Sequence, residues 1–314
     1  MIYYVCHPSH TYTSAVLLLW YGDELRPLFR FVPYSVAHLL RQAGPGTVIW
    51  TDFDRLNGRG LSESARLQSQ LKHLTHLNHP IRSELRFELL HRLHRDGINQ
   101  FAVRRAYESL EGLRYPVILR DERGASKKAP PLLPDRASLE SAIAALPSLD
   151  IMSPIIVEFG ARPDSDGFYR KYGAFRVGER IYAQHCFVSR NWFIKLGDEL
   201  SPQHFDEHLD YVRSNPHKDE LRNLFDAANI EYGRIDYTLL DGRVQVFEIN
   251  TNPAVLGQPP KPEDKYDQSL HAREHIDALF ALPDARLPAK HYELDRAHQW
   301  KLNELHPYYG GMAS

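Results

Sequence analysis

Cysteine is scarce: the 314 residues hold 2, Cys6 and Cys186. That excludes a disulfide framework and makes a reducing compartment, the cytoplasm, the expected location. Long hydrophobic runs are missing as well. The longest, Ala15–Tyr21, falls far short of the roughly 20 residues needed to cross a bilayer. Met1-Ile2-Tyr3-Tyr4-Val5 reads as a buried strand without the basic flank of a secretory signal. Neither sign of charge dominates, with Lys+Arg 38 against Asp+Glu 40 and a formal net charge of -2. Such a balance offers no global field for nucleic acid, so nucleic acid and membrane are not expected partners. No 20–50-residue repeat occurs, which excludes solenoids and propellers. Neither a Gly-x-Ser-x-Gly elbow nor a Gly-x-x-x-x-Gly-Lys phosphate loop is present.

What remains is ordinary globular composition, 43% hydrophobic and 25% charged, at a length that favours two domains. Apolar strands at Ile2–Cys6 and Thr47–Thr51, separated by helical or mixed segments, predict an amino-terminal α/β unit. Asp52 and Asp54 follow the second strand at its carboxyl end, where open α/β sheets bind ligands, although loop aspartates are commonly just loop aspartates. Two helices are expected between Ser62 and Asp96, the second carrying a Leu85, Leu89, Leu90, Leu93 stripe. His73, His76 and His79 recur every three residues. On a helix this spacing spreads them around the axis, and no Cys or Glu completes a zinc set, so a solvated helix is expected. Further strands are read at Pro116–Arg120 and Ile155–Phe159, and a helix at Asp135–Leu146. A hairpin over Tyr172–Phe187 turns at Gly178-Glu179, and a helix over His217–Ala228 stops at Asn229. Cys186 follows His185 directly; neighbours on a strand face opposite ways and cannot form a Cys–His pair.

The most informative stretch runs from Tyr232 to Leu240, turns at Asp241-Gly242, and continues from Arg243 to Asn250-Thr251-Asn252-Pro253. Two β-rich runs around Asp-Gly predict a hairpin. Alternation puts Arg234, Asp236 and Thr238 on one face, and Val244, Val246, Glu248 and Asn250 on one face of the return strand. Buried carboxylates are costly unless paired or bound to a cation. Asp236, Glu248 and Asn250 offer the oxygen ligands that suit Mg²⁺. A strict two-residue turn would set Asp236 opposite Phe247, on the wrong face. A shared ion therefore requires a longer connection or a β-bulge.

Gly-Arg-Ile-Asp, a hairpin, and Phe-Glu-Ile-Asn-Thr-Asn-Pro together resemble the carboxy-terminal signature of ATP-grasp enzymes. The likeness is to the D-alanine–D-alanine ligase type and, more faintly, to ligases that add glutamate to ribosomal protein. It covers roughly residues 80–255. It implies an α/β (α+β) ATP-grasp fold: an amino-terminal pre-ATP-grasp domain over 1–80, an ATP-grasp domain over 81–285 with a lid near 115–160, and a tail over 286–314. By the same resemblance Asp236, Glu248 and Asn250 match Mg²⁺ ligands, with Mn²⁺ an alternative ion. Arg234 matches the arginine on the transferred phosphate and the tetrahedral intermediate. Glu158, Phe159 and Ala161 stand at the adenine hinge, and Asp166 within reach of the ribose. Arg86 and Arg120 stand where the family usually has phosphate-binding lysines, and Lys127 or Lys128 of the Gly124–Lys128 loop could supply an ammonium.

The implied activity is an ATP-dependent carboxylate–amine (or thiol) ligase working through an acyl phosphate. Its partners would be a small-molecule or peptide carboxylate and an amine acceptor, with a homodimer possible. The alternatives are a small-molecule kinase, or an inactive ATP-binding regulatory protein suggested by the two lost lysines. Arg170, Lys171 and Arg190 are candidates for a substrate carboxylate, against the commoner reading of solvated charges. Ala254-Val255-Leu256-Gly257 departs from the Gly-Met-Thr continuation of dipeptide ligases, which argues against D-alanine.

Overall fold

The computed structural model describes residues 1–123, 129–147, 153–195, 201–256 and 269–309. Its amino-terminal part is a parallel four-stranded sheet of β1 (Ile2–Cys6), β2 (Phe29–Pro33), β3 (Thr47–Trp50) and β4 (Thr75–Leu77), ordered β2-β1-β3-β4. β1 and β3 are buried at every position, as expected of unbroken apolar strands covered on both faces. Helices α1 (Gly58–Gln70) and α2 (Arg86–Arg95) follow. Leu89, Leu90 and Leu93 form the buried stripe of α2. The histidine trio is not helical. His73 lies in a turn, His76 in edge strand β4 and His79 in the loop beyond. Pairing of Thr75–Leu77 with β3 overrides the helical spacing, and His76 Nδ1 accepts from Trp50 Nε1 at 3.2 Å.

A three-stranded antiparallel sheet comes next, from β5 (Val103–Arg105), β6 (Val117–Asp121) and β7 (Pro154–Glu158), ordered β5-β7-β6. Helix α3 (Arg136–Ala144), capped by Asp135 accepting from the Ser138 N–H at 2.8 Å, packs on it. The third sheet is antiparallel, β11-β10-β8-β9, built from β8 (Tyr169–Val177), β9 (Arg180–Ser189), β10 (Tyr232–Leu240) and β11 (Arg243–Asn250). Between β9 and β10 run α4 (Pro202–Ser214) and α5 (Lys218–Ala227). Helix α4 has no counterpart in the sequence reading, despite Ser201 as cap and Pro202 at its first turn.

Helices α6 (Ser269–Phe280) and α7 (Tyr292–Tyr309) close the chain. Ile276 and Leu279 of α6 and Leu302 of α7 join Tyr4, Phe29 and Phe31 in a cluster that also takes in Phe175 and Tyr182. The parallel sheet and the large antiparallel sheet thus share one core. At about 1.5–3 kcal/mol per fully buried large side chain, that core couples them firmly. Helix α7 packs back on the parallel sheet: Arg30 pairs with Asp295 at 2.6 Å, and His298 Nδ1 accepts from the Phe31 N–H at 3.1 Å.

Candidate active site

The β10–β11 turn is a two-residue one. Asp241 and Gly242 both have positive φ, 51° and 73°, and Leu240 pairs with Arg243, the type I′ geometry that Asp-Gly favours. Unbroken pairing would then place Asp236 across from Phe247. Instead the register shifts between Asp236 and Tyr237, so Tyr237 faces Val246 and Asp236 faces Glu248. Phe247 is the extra residue of a bulge, and its ring stacks on Phe101 with centroids 6.3 Å apart. The phenylalanine is thereby spent on packing with Leu90, Val103 and Ile155, and the two carboxylates come abreast.

Asp236 is 3% exposed. Burial alone would raise its carboxyl, but the Arg234 and Lys171 cations hold it well below the usual carboxylate range. Arg234 Nε donates to its Oδ1 at 2.7 Å, and Lys171 Nζ to its Oδ2 at 3.5 Å. Burial works against the charged form of Lys171 and lowers its pKa, only partly offset by Asp236. Glu248 is paired with Arg86, the first residue of α2. Asn250 sits opposite Arg234, is exposed, and accepts the Asn252 N–H at 2.8 Å through Oδ1.

Arg86, Lys171, Asp236 and Glu248 line a cleft between the three-stranded and the large antiparallel sheets; Arg234 and Asn250 are not among its lining residues. Ile118, Val157, Phe159 and Phe247 give it an apolar floor and roof, with Trp192 and Phe193 at one side. Trp192 meets Phe159 edge-on, centroids 5.2 Å apart. Arg86, Arg120, Lys171 and Lys195 bring positive charge to the same space. Burial, reinforced by Arg120, pushes the Arg86 guanidinium below its ordinary range; burial, with Lys171 and Arg120 nearby, does the same to Lys195. A slot with an aromatic, apolar end and a cationic end beside two carboxylates suits a planar base joined to a polyanion.

No protein-family profile matches the chain, and no curated protein matches it in sequence. Solved structures do match. The D-alanine–D-alanine ligase from Coxiella burnetii is similar over 98% of this chain and 98% of its own, with a TM-score of 0.53 at 14% identity. The carboxyaminoimidazole ribonucleotide synthase from Aspergillus clavatus, complexed with ATP, is similar over 88% of this chain and 76% of its own, with a TM-score of 0.50 at 12% identity. The chain has the ATP-grasp fold.

Within this ATP-grasp fold, Arg86, Arg120, Glu158, Phe159, Ala161, Asp236 and Glu248 all line the cleft. Glu158 does so at the end of β7, yet its carboxylate accepts from the Ala102 and Arg114 N–H groups at 2.9 and 2.8 Å and from Arg114 Nη2 at 2.7 Å. Its side chain ties the Ala102 and Arg114 segments to the end of β7. Asp166 is not among the cleft-lining residues; it pairs with Arg170 at 2.7 Å, and that arginine holds its carboxyl down at about 2. Arg170 itself lines the cleft but is occupied by Glu207, Asp164 and Asp166, which leaves it no donor face for a substrate carboxylate. Arg190 lies over the Phe168 ring, 4.4 Å from its centroid. Lys127 and Lys128 fall outside the described residues.

Sequence reasoning missed Lys195, Trp192 and Phe193. Asn191-Trp192-Phe193-Ile194-Lys195 has no strand alternation or helical period. A polar chain punctuated by two adjacent aromatics and a lysine was the available signal.

Proposed function

We propose that this chain is an ATP-dependent ligase that activates a carboxylate as an acyl phosphate and passes the acyl group to an amine. The observation that carries this reading is the bulge that sets Asp236 opposite Glu248 beside Arg86, Lys171 and Arg234. A packed strand gains nothing by bringing two acids together and then supplying cations to neutralise them. The donor set fits Mg²⁺, with Mn²⁺ as a substitute: two carboxylates, one held ionised by its neighbours, and an amide oxygen, all hard ligands. Asp236, Glu248 and Asn250 would hold the ion, which neutralises phosphate charge when bound.

The chain's own residues do the rest. Phe159, Trp192 and the apolar walls take the base, and the backbone around Phe159–Ala161 borders its edge. Arg86, Arg120 and Lys195 face the phosphates, where arginine can bind two oxygens at once. Arg234 lies next to Asp236 and stabilises the oxyanion that forms when the acyl phosphate is attacked. Phosphoryl transfer depends chiefly on positioning and charge, which this site supplies.

The test is ADP release from Mg·ATP with a carboxylate panel and hydroxylamine as nucleophile. A hydroxamate formed in step with ADP is the expected result. ADP without hydroxamate would indicate a kinase, and neither product would remove the ligase reading.

A further inference from the structure

A second constellation lies at the mouth of the parallel sheet. In the order β2-β1-β3-β4 the chain leaves β1 toward one side and β3 toward the other, which opens a crevice at their carboxyl ends. The His7–His10 turn enters it from β1 and Asp52 from β3. Asp52 is 2% exposed and has a left-handed φ of 57°. Its Oδ2 accepts the His7 N–H at 2.8 Å and Asn252 Nδ2 at 2.7 Å, while its Oδ1 lies 2.8 Å from His10 Nδ1. A carboxylate can only accept, so Nδ1 carries the proton and Nε2 of the neutral ring presents a lone pair. Among the described residues Nε2 has no partner, and the His10 side chain is 16% exposed.

Asn252 ties this pair to the nucleotide site. Its Nδ2 also reaches the His10 carbonyl at 3.3 Å, its Oδ1 accepts the Tyr4 hydroxyl at 2.8 Å, and its N–H donates to Asn250. Arg234, across the ladder from Asn250, reaches the Ala254 carbonyl of the same loop at 3.4 Å. We propose that His10, oriented by Asp52, is the proton acceptor for the attacking amine. This rests on the ligase reading above. The amine arrives as an ammonium; His10 Nε2 takes one N–H proton, and the freed lone pair attacks the acyl carbon. The tetrahedral adduct expels phosphate and sheds the second proton. Overall, a carboxylate, an ammonium and ATP give an amide, ADP, phosphate and one proton. Asp52 is a positioning residue, fixing the tautomer and the ring.

The groups facing His10 are Asp52, with Arg55 3.8 Å from its carboxylate and Asp54 two residues on, and the rings of His7 and Tyr12. From α7, Lys301 bonds the Pro8 carbonyl at 3.1 Å and pairs with Glu304. The competing role for His10 is a latch between the parallel sheet and the hairpin loop. H10Q separates the two, because glutamine can still donate to Asp52 but cannot accept a proton.

The experiment compares the full-length wild type, H10Q and H10A with Mg·ATP and a panel of acetate, the twenty L-amino acids and D-alanine. Hydroxylamine, neutral near pH 7 and needing no base, is one nucleophile; the amino acids' own amines are the other. For H10Q we expect amide formation near pH 7 to fall by about 10²-fold or more and to recover about tenfold per pH unit above it. Hydroxamate formation falls far less, and added imidazole restores part of the amide rate in H10A. Wild-type amide rates and pH profile in H10Q, beside normal hydroxamate, would overturn the dyad and leave the ligase standing. No hydroxamate and no ADP from the wild type would remove the ligase and the dyad together.

Discussion

Two aspartates are buried in the sheets of this molecule, one within a strand and one just past a strand end, and their carboxylates are partnered by different means. Asp236, on β10, sits between Arg234 and Lys171, whose charges outweigh the cost of burial. Asp52, just past β3, is held by a backbone N–H, an amide and an imidazole, with Arg55 only at the margin. Cationic partners can be exchanged for a metal ion, because the carboxylate keeps a positive neighbour throughout. Three neutral donors aimed from two chain segments fix an orientation and cannot be exchanged so freely. The first arrangement suits a site that loads and unloads charge; the second suits one that must hold a ring still.

The comparison breaks most visibly at the hairpin. Glu248→Gln keeps the size of the side chain but removes the charge opposite Asp236. ADP release should fall by about 10²–10³-fold, the usual cost of losing one electrostatic contact to a reacting group, with an unchanged circular dichroism spectrum. Turnover close to wild type would mean that the paired carboxylates serve the hairpin alone.

Next in size is Lys195→Ala. Lys195 is exposed, its ammonium lies over the Phe193 ring at 5.1 Å from the centroid, and burial of the ammonium with Lys171 and Arg120 nearby disfavours its charge. Removing it should weaken nucleotide binding by about 1.5–3 kcal/mol, as for a hydrogen bond to a charged group, read by calorimetry with a non-hydrolysable ATP analogue. The same substitution should leave the melting temperature of the nucleotide-free protein unchanged or raise it. An unchanged affinity would place the phosphates away from Lys195.

The two regions also differ in how openly the sequence declares them. Acids and amides inside a β-branched run are not explained by packing, so Asp236, Glu248 and Asn250 stand out; a shared ion required either a longer connection or a bulge, and the hairpin has the bulge. Phe247 is the residue that bulges, for a reason no local pattern holds: Phe101, far away in sequence, offers it a ring. Most strands and helices were legible from alternation and caps. The histidine trio misled because pairing with β3 made Thr75–Leu77 a strand despite helical spacing. The strand that ends at Glu158 was legible, but the commitment of its carboxylate to Arg114 depends on a contact across 44 positions. His10 and Asp52 carried little signal, because their meaning lies in the switch of strand order, which only the folded sheet reveals.

Asn252 is the joint between the two regions, and its removal should cost stability more than activity alone would suggest. Asn252→Ala leaves the Tyr4 hydroxyl and one Asp52 oxygen short of a buried partner. Urea unfolding should show a loss of about 1–3 kcal/mol. A change within about 0.5 kcal/mol, the range of an ordinary surface substitution, would mean that the regions are not joined through this side chain.

The smallest effect concerns acid stability, where each region contributes a buried histidine. His298, on α7 against β2, and His275, on α6 against Tyr182 at 2.5 Å, are both pushed down to about 3, chiefly by burial. In the unfolded chain each takes up a proton near its ordinary value of 6.5. The unfolded state therefore binds more protons between about 6.5 and 3, and stability rises with pH across that window. Each histidine should contribute a slope of about 1 kcal/mol per pH unit. Asp236 acts elsewhere: its pKa is depressed, so its contribution is whole above 3.8 and is lost only as acid carries the pH below that. Substituting His298→Asn should flatten the profile of ΔG of unfolding against pH between about 6 and 4 by roughly one proton's worth. His275→Asn should do the same independently, since the two rings sit on different helices. The double variant should be flatter by two protons' worth, because both rings report on the unfolding of one shared core; a double variant no flatter than either single one would mean that only one of the two rings is held neutral in the folded protein.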